Sequence, residues 1–205
     1  MEKRSKTKKN ILMIGSTALA ATVGWLITEP WHERFGYLRS TAIGLVVGLF
    51  IVLSIVSFNY FYYKKVHLLK KTLKHPSIYI FPIIGDVLSK FLYASIYEFS
   101  LARILSWAVW GLFLGLAISF HDRNRDKIIV GVTGGFLGGG LGALIFDIVG
   151  DFVSSYGGTV ARAVGFILYA IVLASSLILV ESLYIKLSGN SNQFDFKNLK
   201  LKNKV

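Results

Sequence analysis

Asp86 and Lys90 are the residues whose types and spacing could do chemistry. They lie four apart in a stretch, 77–97, that is otherwise mostly apolar and carries Pro82. On a helix, positions i and i+4 share a face, so a carboxylate and an ammonium there can pair. If the stretch crosses a bilayer, Asp86 falls near mid-depth, where an unpaired charge costs about 3 kcal/mol by insertion scales. Such a group handles a proton or ion, or it is a self-neutralised pair packed inside a bundle. If 77–97 instead lies on the membrane surface, both residues simply face water. Pro82, one turn earlier, cannot donate to the helix ladder and would kink it, as in the broken helices of some transporter sites.

Little else in the chain points to catalysis. It contains no cysteine, which excludes disulfides, thiolate metal sites and thiol catalysis. His32, His67, His75 and His121 fall in loops and turns, without metal-ligand spacing on one helix. No Ser/His/Asp arrangement or phosphate loop is visible, and the one glycine-rich run is apolar and follows no strand. The sequence therefore predicts no catalytic residue, no metal, no cofactor and no enzymatic activity.

The elements that would position Asp86 and Lys90 are membrane helices. The 205 residues are 54% hydrophobic and 17% charged, and the mean hydropathy is +0.58. That composition belongs to a polytopic membrane protein rather than a soluble domain. We expect an all-α bundle of six spans, at about 11–28, 40–63, 77–97, 101–120, 128–147 and 162–184, arranged as three hairpins. A basic lead, 1–10, precedes them and a polar tail, 186–205, follows. Glu-Pro-Trp, not a small-x-small cleavage site, comes after the first span, so no cleavable signal is expected. The loop 29–39 carries Trp31, Phe35 and Tyr37, residues that favour the bilayer interface. The stretch 148–161 reads as a Gly/Ser-rich loop.

The fifth span is the centre of the chain. Gly134, Gly138 and Gly142 form one row at helical spacing, which Gly131 is expected to extend, and Gly135 and Gly139 form a second. Two adjacent rows make a broad groove suited to close helix contact on more than one side. Gly44 and Gly48 in the second span, and Gly111 and Gly115 in the fourth, repeat the small-xxx-small pattern. Helix packing is the expected role of these glycines; a glycine-lined pore or gate is the sharper one.

Charge sets the orientation. With six spans, 18 of the 23 Lys and Arg residues fall on one side, in the lead, 64–75, 121–127 and the tail. Four arginines fall on the other side. The basic side should be cytoplasmic, with both termini there, against a bilayer with anionic headgroups. The net charge of +12 is thus read as membrane orientation, not nucleic-acid binding. On the opposite side each arginine follows an acid: Glu29 and Glu33 before Arg39, Glu98 before Arg103, Asp147 and Asp151 before Arg162. These should pair at loop level or simply stay solvated; the functional alternative is a ring of alternating charge at a pore mouth. Glu181 should sit near the basic interface, hydrated or paired with a lysine.

An internal repeat fits the three hairpins. Leu19–Glu29 aligns without gaps to Leu137–Asp147, and the arginines opening return helices, Arg39, Arg103 and Arg162, recur 64 and 59 residues apart. From Arg103, the pattern R-x3-W-x2-W-G-L-x2-G-L, then the glycine run ending in Phe146-Asp147, then Arg162-x-x-Gly165 and Glu181, resembles multi-pass modules of bacterial proteins that precede a forkhead-associated domain. The resemblance covers about the last 100 residues. It implies a bacterial plasma-membrane module. With the sequence ending at Val205 that domain is not expected, and no phosphopeptide role carries over.

The function expected from these features is a non-enzymatic scaffold, anchor or assembly subunit. It would pack through glycine faces against a second copy or another membrane protein. The alternative is a small transporter or channel for an ion or solute, using Asp86 and Lys90.

Overall fold

Within lipid a chain has no water to satisfy its backbone, so each apolar stretch must bond internally. The computed structural model describes residues 2–31, 38–96, 98–122, 124–153 and 157–188. Among these there are seven α-helices and no strand. They are α1 (Glu2–Thr28), α2 (Leu38–Tyr62), α3 (Val66–Leu73), α4 (Ser77–Ser95), α5 (Phe99–Ser119), α6 (Arg125–Val153) and α7 (Gly158–Ser188). All except α3 are long and apolar enough to cross a membrane, which makes six, α4 included. The fold is all-α and polytopic. His32, Glu33, Arg34, Phe35, Tyr37, Tyr97, Arg123 and 189–205 lie outside the described residues, as do the side chains of Lys3, Arg4, Trp31, Arg39, His67 and Asp151.

Several boundaries differ from the sequence reading. The basic lead continues α1 rather than preceding it, because nothing in Glu2–Asn10 breaks a helix. The glycine helix runs on to Val153, so much of the expected loop 148–161 is helical. Lysine-rich 64–75 contains α3, whose side the Tyr60 hydroxyl holds by a 2.7 Å bond to Thr72. Between α2 and α3 the chain turns at Lys64, which has φ +55°. There the Lys65 N–H donates to the Tyr60 carbonyl and the Lys64 N–H to that of Phe61. This is a Schellman stop with lysine in the position glycine usually takes. At the head of α6, Asn124 Oδ1 accepts the Asp126 N–H at 2.9 Å, a side-chain N-cap.

The spans form three antiparallel hairpins, α1–α2, α4–α5 and α6–α7, closed into a ring by α5 against α6, α7 against α1, and α2 against α4. The α5–α6 contact is the most extensive and the α2–α4 contact the thinnest of the six links. Lysines of α1, α3, α6 and α7 gather at one end, the basic end, where Lys9 lies over the Tyr63 ring. The core holds Val47, Ile51, Leu114, Leu173 and Tyr169, all fully buried. Tyr169 stacks on Trp110 with ring centroids 4.9 Å apart. Several hydroxyls inside the spans bond back along their own helices, as Thr17 does to the Met13 carbonyl and Ser119 to that of Gly115. Outward faces are apolar, with Ile80, Ile84, Val87 and Phe91 exposed along α4.

Glycine makes the closest of these contacts. A methyl group at Gly111 would lie 2.9 Å from the Gly139 Cα, and one at Gly135 would lie 3.2 Å from the Gly115 Cα. On the neighbouring face, Gly134, Gly138 and Gly142 receive Leu177, Leu173 and Tyr169 of α7. Both rows are therefore occupied by helices of the same chain. Gly131 meets Gly115 and Ser119 of α5, so it extends the row of Gly135 and Gly139, not that of Gly134. Its spacing of four from Gly135 accounts for this: fours keep to one face of a helix.

Candidate functional site

Asp86 sits nine residues from either end of α4, about 14 Å from each along the axis. Its Oδ2 accepts a 2.5 Å bond from Lys90 Nζ. The carboxylate is turned into the α2–α4 seam, with Oδ1 where a Gly44 side chain would project. Lys90 Nζ is 3.9 Å from that same point. Gly44 is thus required by the carboxylate beside it as much as by helix packing. The two charges are unequally covered: the Asp86 side chain is 4% exposed and that of Lys90 31%. Pro82 is buried within α4, and the helix continues through it. Gly85 admits Phe113 of α5 at 2.5 Å from where a Cβ would be, which holds the back of α4 to its hairpin partner.

Away from the basic end, two ion pairs tie hairpin to hairpin. Arg103 Nη1 donates to Asp147 Oδ1. Arg162 donates through Nη2 to Glu29 Oε1 at 2.5 Å and through Nε to Oε2 at 3.4 Å. These are not the pairs expected from sequence order. Asp147 bonds Arg103 instead of Arg162, Arg162 bonds Glu29, and Glu98 is exposed. Asp147 lies two turns beyond Gly140, whose nearest neighbours are Ala108 and Ile104, so its face of α6 looks at α5. Burial pushes the Glu29 carboxyl up, but the hydrogen bond and charge of Arg162 outweigh it and hold the group below the ordinary value.

No known protein family, curated protein or solved structure matches the chain. The site must therefore be read from its own geometry.

A second constellation escaped the sequence reading. At the basic end a cavity of about 100 Å³ is lined by Lys9, Asn59, His121, Lys127 and Glu181, over an apolar floor that includes Ile55 and Leu177. Glu181 lies within charge range of Lys9, Lys6 and Lys127. His121 Nε2 is 3.4 Å from the Tyr60 hydroxyl. Five helices or their ends contribute to this cavity, and none of its polar residues is close to the others in sequence except in pairs. Only the expectation that Glu181 lies near lysines pointed towards it. Among the described residues no group of three His, Asp or Glu side chains converges as metal ligands would.

Proposed function

We propose that the protein moves a proton or small ion across its membrane, with Asp86 and Lys90 as the responsive element. The observation that carries this reading is a carboxylate held at the middle of a span, in the thinnest seam of the ring. Ionisable groups at that depth are costly, and an intramembrane carboxylate with a named partner is by default a candidate for an ion pathway. The pair offers two arrangements. In one, Lys90 bonds Asp86 and the seam is closed. In the other, Asp86 carries a proton or cation, and Lys90 extends its long stem towards the nearer end of α4. Gly44, having no side chain, leaves the room for the carboxylate to change partners.

The second reading is a scaffold, anchor or subunit of a membrane assembly. The close packing of glycine-rich helices throughout the ring supports it. Its partner surfaces would be the outward apolar faces, because α5 and α7 already fill the glycine rows. In both readings the protein is non-enzymatic, binds no nucleic acid, and lies in a bacterial plasma membrane with both termini cytoplasmic, as lysine placement favours.

Proteoliposomes loaded in turn with dyes that report protons, sodium, potassium or chloride test the transport reading. An imposed ion or proton gradient should relax with the native protein and not with Asp86→Asn, while both elute as the same species. A native protein that relaxes no proton, sodium, potassium or chloride gradient leaves only the scaffold reading.

A further inference from the structure

One face of α2 runs from the Asp86 site to the cavity at the basic end. Gly44, Gly48, Ile51, Ile55 and Asn59 follow one another at steps of three and four, so they share a stripe along the helix. At one end of the stripe Gly44 stands against the Asp86 carboxylate. At the other, Ile55 and Asn59 line the cavity. Between Gly48 and Ile55 lie about 10 Å of helix, and this interval is sealed. Leu114 Cδ2 and Trp110 Cζ2 of α5 each lie 3.1 Å from where a Gly48 side chain would begin. Ile51 and Leu114 are fully buried. The seal is therefore apolar and about two turns thick.

The cavity itself suits water. Its volume of about 100 Å³ far exceeds the roughly 10–15 Å³ that one water needs by the same kind of measure. Lys9, Lys127 and Glu181 around it are only partly buried, so it opens at the basic end. Waters inside would find polar partners on its walls. The Asn59 amide gives one hydrogen to the Ile55 carbonyl and keeps the other. The Ser119 hydroxyl, which donates to the Gly115 carbonyl, can still accept.

We propose that this cavity is a water-filled vestibule through which protons or small ions from the basic end approach Asp86, and that Leu114 and Ile51 form the apolar gate between them. The inference rests on the transport reading. Lys90 lies on the far side of Asp86, towards the other end of α4. The carboxylate is thus reached from one end past Lys90 and from the basic end past Leu114. A constriction lined only by apolar groups stays dry, and closed to ions, until its walls part.

The experiment places single cysteines in the full-length protein, which has none of its own. The variants are put in proteoliposomes with a sulfonated, membrane-impermeant thiol reagent on both sides. Asn59→Cys should react at least about tenfold faster than Ile51→Cys, because buried thiols in apolar surroundings are inert. Leu179→Cys should be as slow as Ile51→Cys: it lies between cavity-lining Ile178 and Glu181 but is 59% exposed on the outward face of α7. Equal rates at Asn59 and Ile51 would mean a dry packing void or no seal, and either overturns the proposal. Adding Leu114→Ala to Ile51→Cys should speed its reaction about fivefold or more; an unchanged rate would remove Leu114 as the gate. Should Leu114→Ala fail to fold, the smaller cut Leu114→Val takes its place. Labelled Asn59→Cys should relax a gradient at least about tenfold more slowly than the same variant unlabelled, since the adduct obstructs the mouth. A labelled protein that relaxes as fast would take the vestibule off the path. The two readings fail separately: a native protein that moves no ion ends the transport reading whatever the labelling rates, while one that moves ions with Asn59→Cys unreactive ends this inference alone.

Discussion

Arg103 at the head of α5 is bonded to Asp147 towards the end of α6, so this charge pair joins two different hairpins. Arg162 and Glu29 do the same between α7 and α1. The third junction, α2 against α4, has the Asp86–Lys90 pair beside Gly44 instead, and both of its charges come from α4. Two junctions are thus latched across helices, while at the third the described pair latches nothing across. That asymmetry accords with the thin α2–α4 contact.

The Arg103 latch should be measurable. Both side chains are partly covered, and the Arg103 guanidinium also stands 5.7 Å from the Phe146 ring centroid. Asp147→Asn should lower stability in detergent by about 1–2 kcal/mol, between the values for exposed and buried pairs. The swap Arg103→Asp/Asp147→Arg should recover part of that loss. Unfolding curves of the single and swapped variants decide it; a swap no better than the sum of its single changes removes the pairwise bond.

Glu29 gives a pH signature. Its carboxyl is held below the ordinary value of 4.5, because Arg162 outweighs the effect of burial. A group lowered in the folded state contributes stability that is complete above its unfolded value. That contribution disappears as pH falls through the lower folded value. Stability should therefore decline from about pH 4.5 downwards, and Glu29→Gln should flatten this part of the curve while lowering the plateau at neutral pH. Thermal unfolding of both proteins between neutral pH and acid is the measurement.

Adjacent glycines of α6 should behave oppositely. A methyl at Gly139 would run into the Trp107 carbonyl, whereas at Gly140 it would lie 3.5 Å from the Ala108 Cβ, an ordinary contact. Gly139→Ala should destabilise by about 2 kcal/mol or more, since two backbones must separate. Gly140→Ala should be neutral or gain up to about 1 kcal/mol from helix preference. Parallel unfolding in one detergent tests the pair; equal effects would mean that the α5–α6 approach is looser than described.

The number and place of the spans were legible because apolar length is a local property that lipid converts directly into helix. The two glycine rows were legible for the same reason, since spacing assigns a residue to a face, although Gly131, expected in the row of Gly134, has a spacing of four from Gly135 that puts it in the other. The rows' partners were not: nothing in Gly138 itself says that Leu173, rather than another protein, lies against it. Arginine pairing failed similarly. Arg162 is nearer in sequence to Asp147, but the ring brings α7 beside α1, and closure of a ring is not encoded in any one segment. The cavity at the basic end needs Lys9, Lys127 and Glu181 from three helices, so no motif announces it. Helix stops were misjudged where Ile148–Val153 continues an apolar run that its glycine seemed to end.

Lys64 tests how the lysine-rich turn is built. A non-glycine residue in the left-handed region carries a strain of about 1 kcal/mol. Lys64→Gly should remove it while keeping the Schellman bonds to Tyr60 and Phe61, for a gain of somewhat under 1 kcal/mol after glycine's own entropic disadvantage. Lys64→Val should lose more than that. Thermal unfolding of the two variants separates strain at this turn from loss of a lysine charge, which both share.

The unequal cover of Asp86 and Lys90 predicts unequal consequences when the pair is broken. Lys90→Met leaves a carboxylate that is 4% exposed, at mid-span, without its ammonium. Breaking a buried pair in this way costs about 3–5 kcal/mol. Asp86→Asn leaves an ammonium that is 31% exposed and lies five residues from the end of α4. Its stem can carry the charge about 7 Å along the axis towards water, so the loss should be smaller, near 1–2 kcal/mol. The double variant Asp86→Asn/Lys90→Met carries no charge into the span and should lie nearer the native protein than Lys90→Met does. The order of stability should be native, then the double variant and Asp86→Asn, with Lys90→Met last. Measured in the same detergent, a Lys90→Met protein at least as stable as Asp86→Asn would mean that the carboxylate reaches water or another cation, and would place it outside the closed seam. A double variant that folds well yet relaxes no gradient would separate what the pair does for transport from what it does for folding.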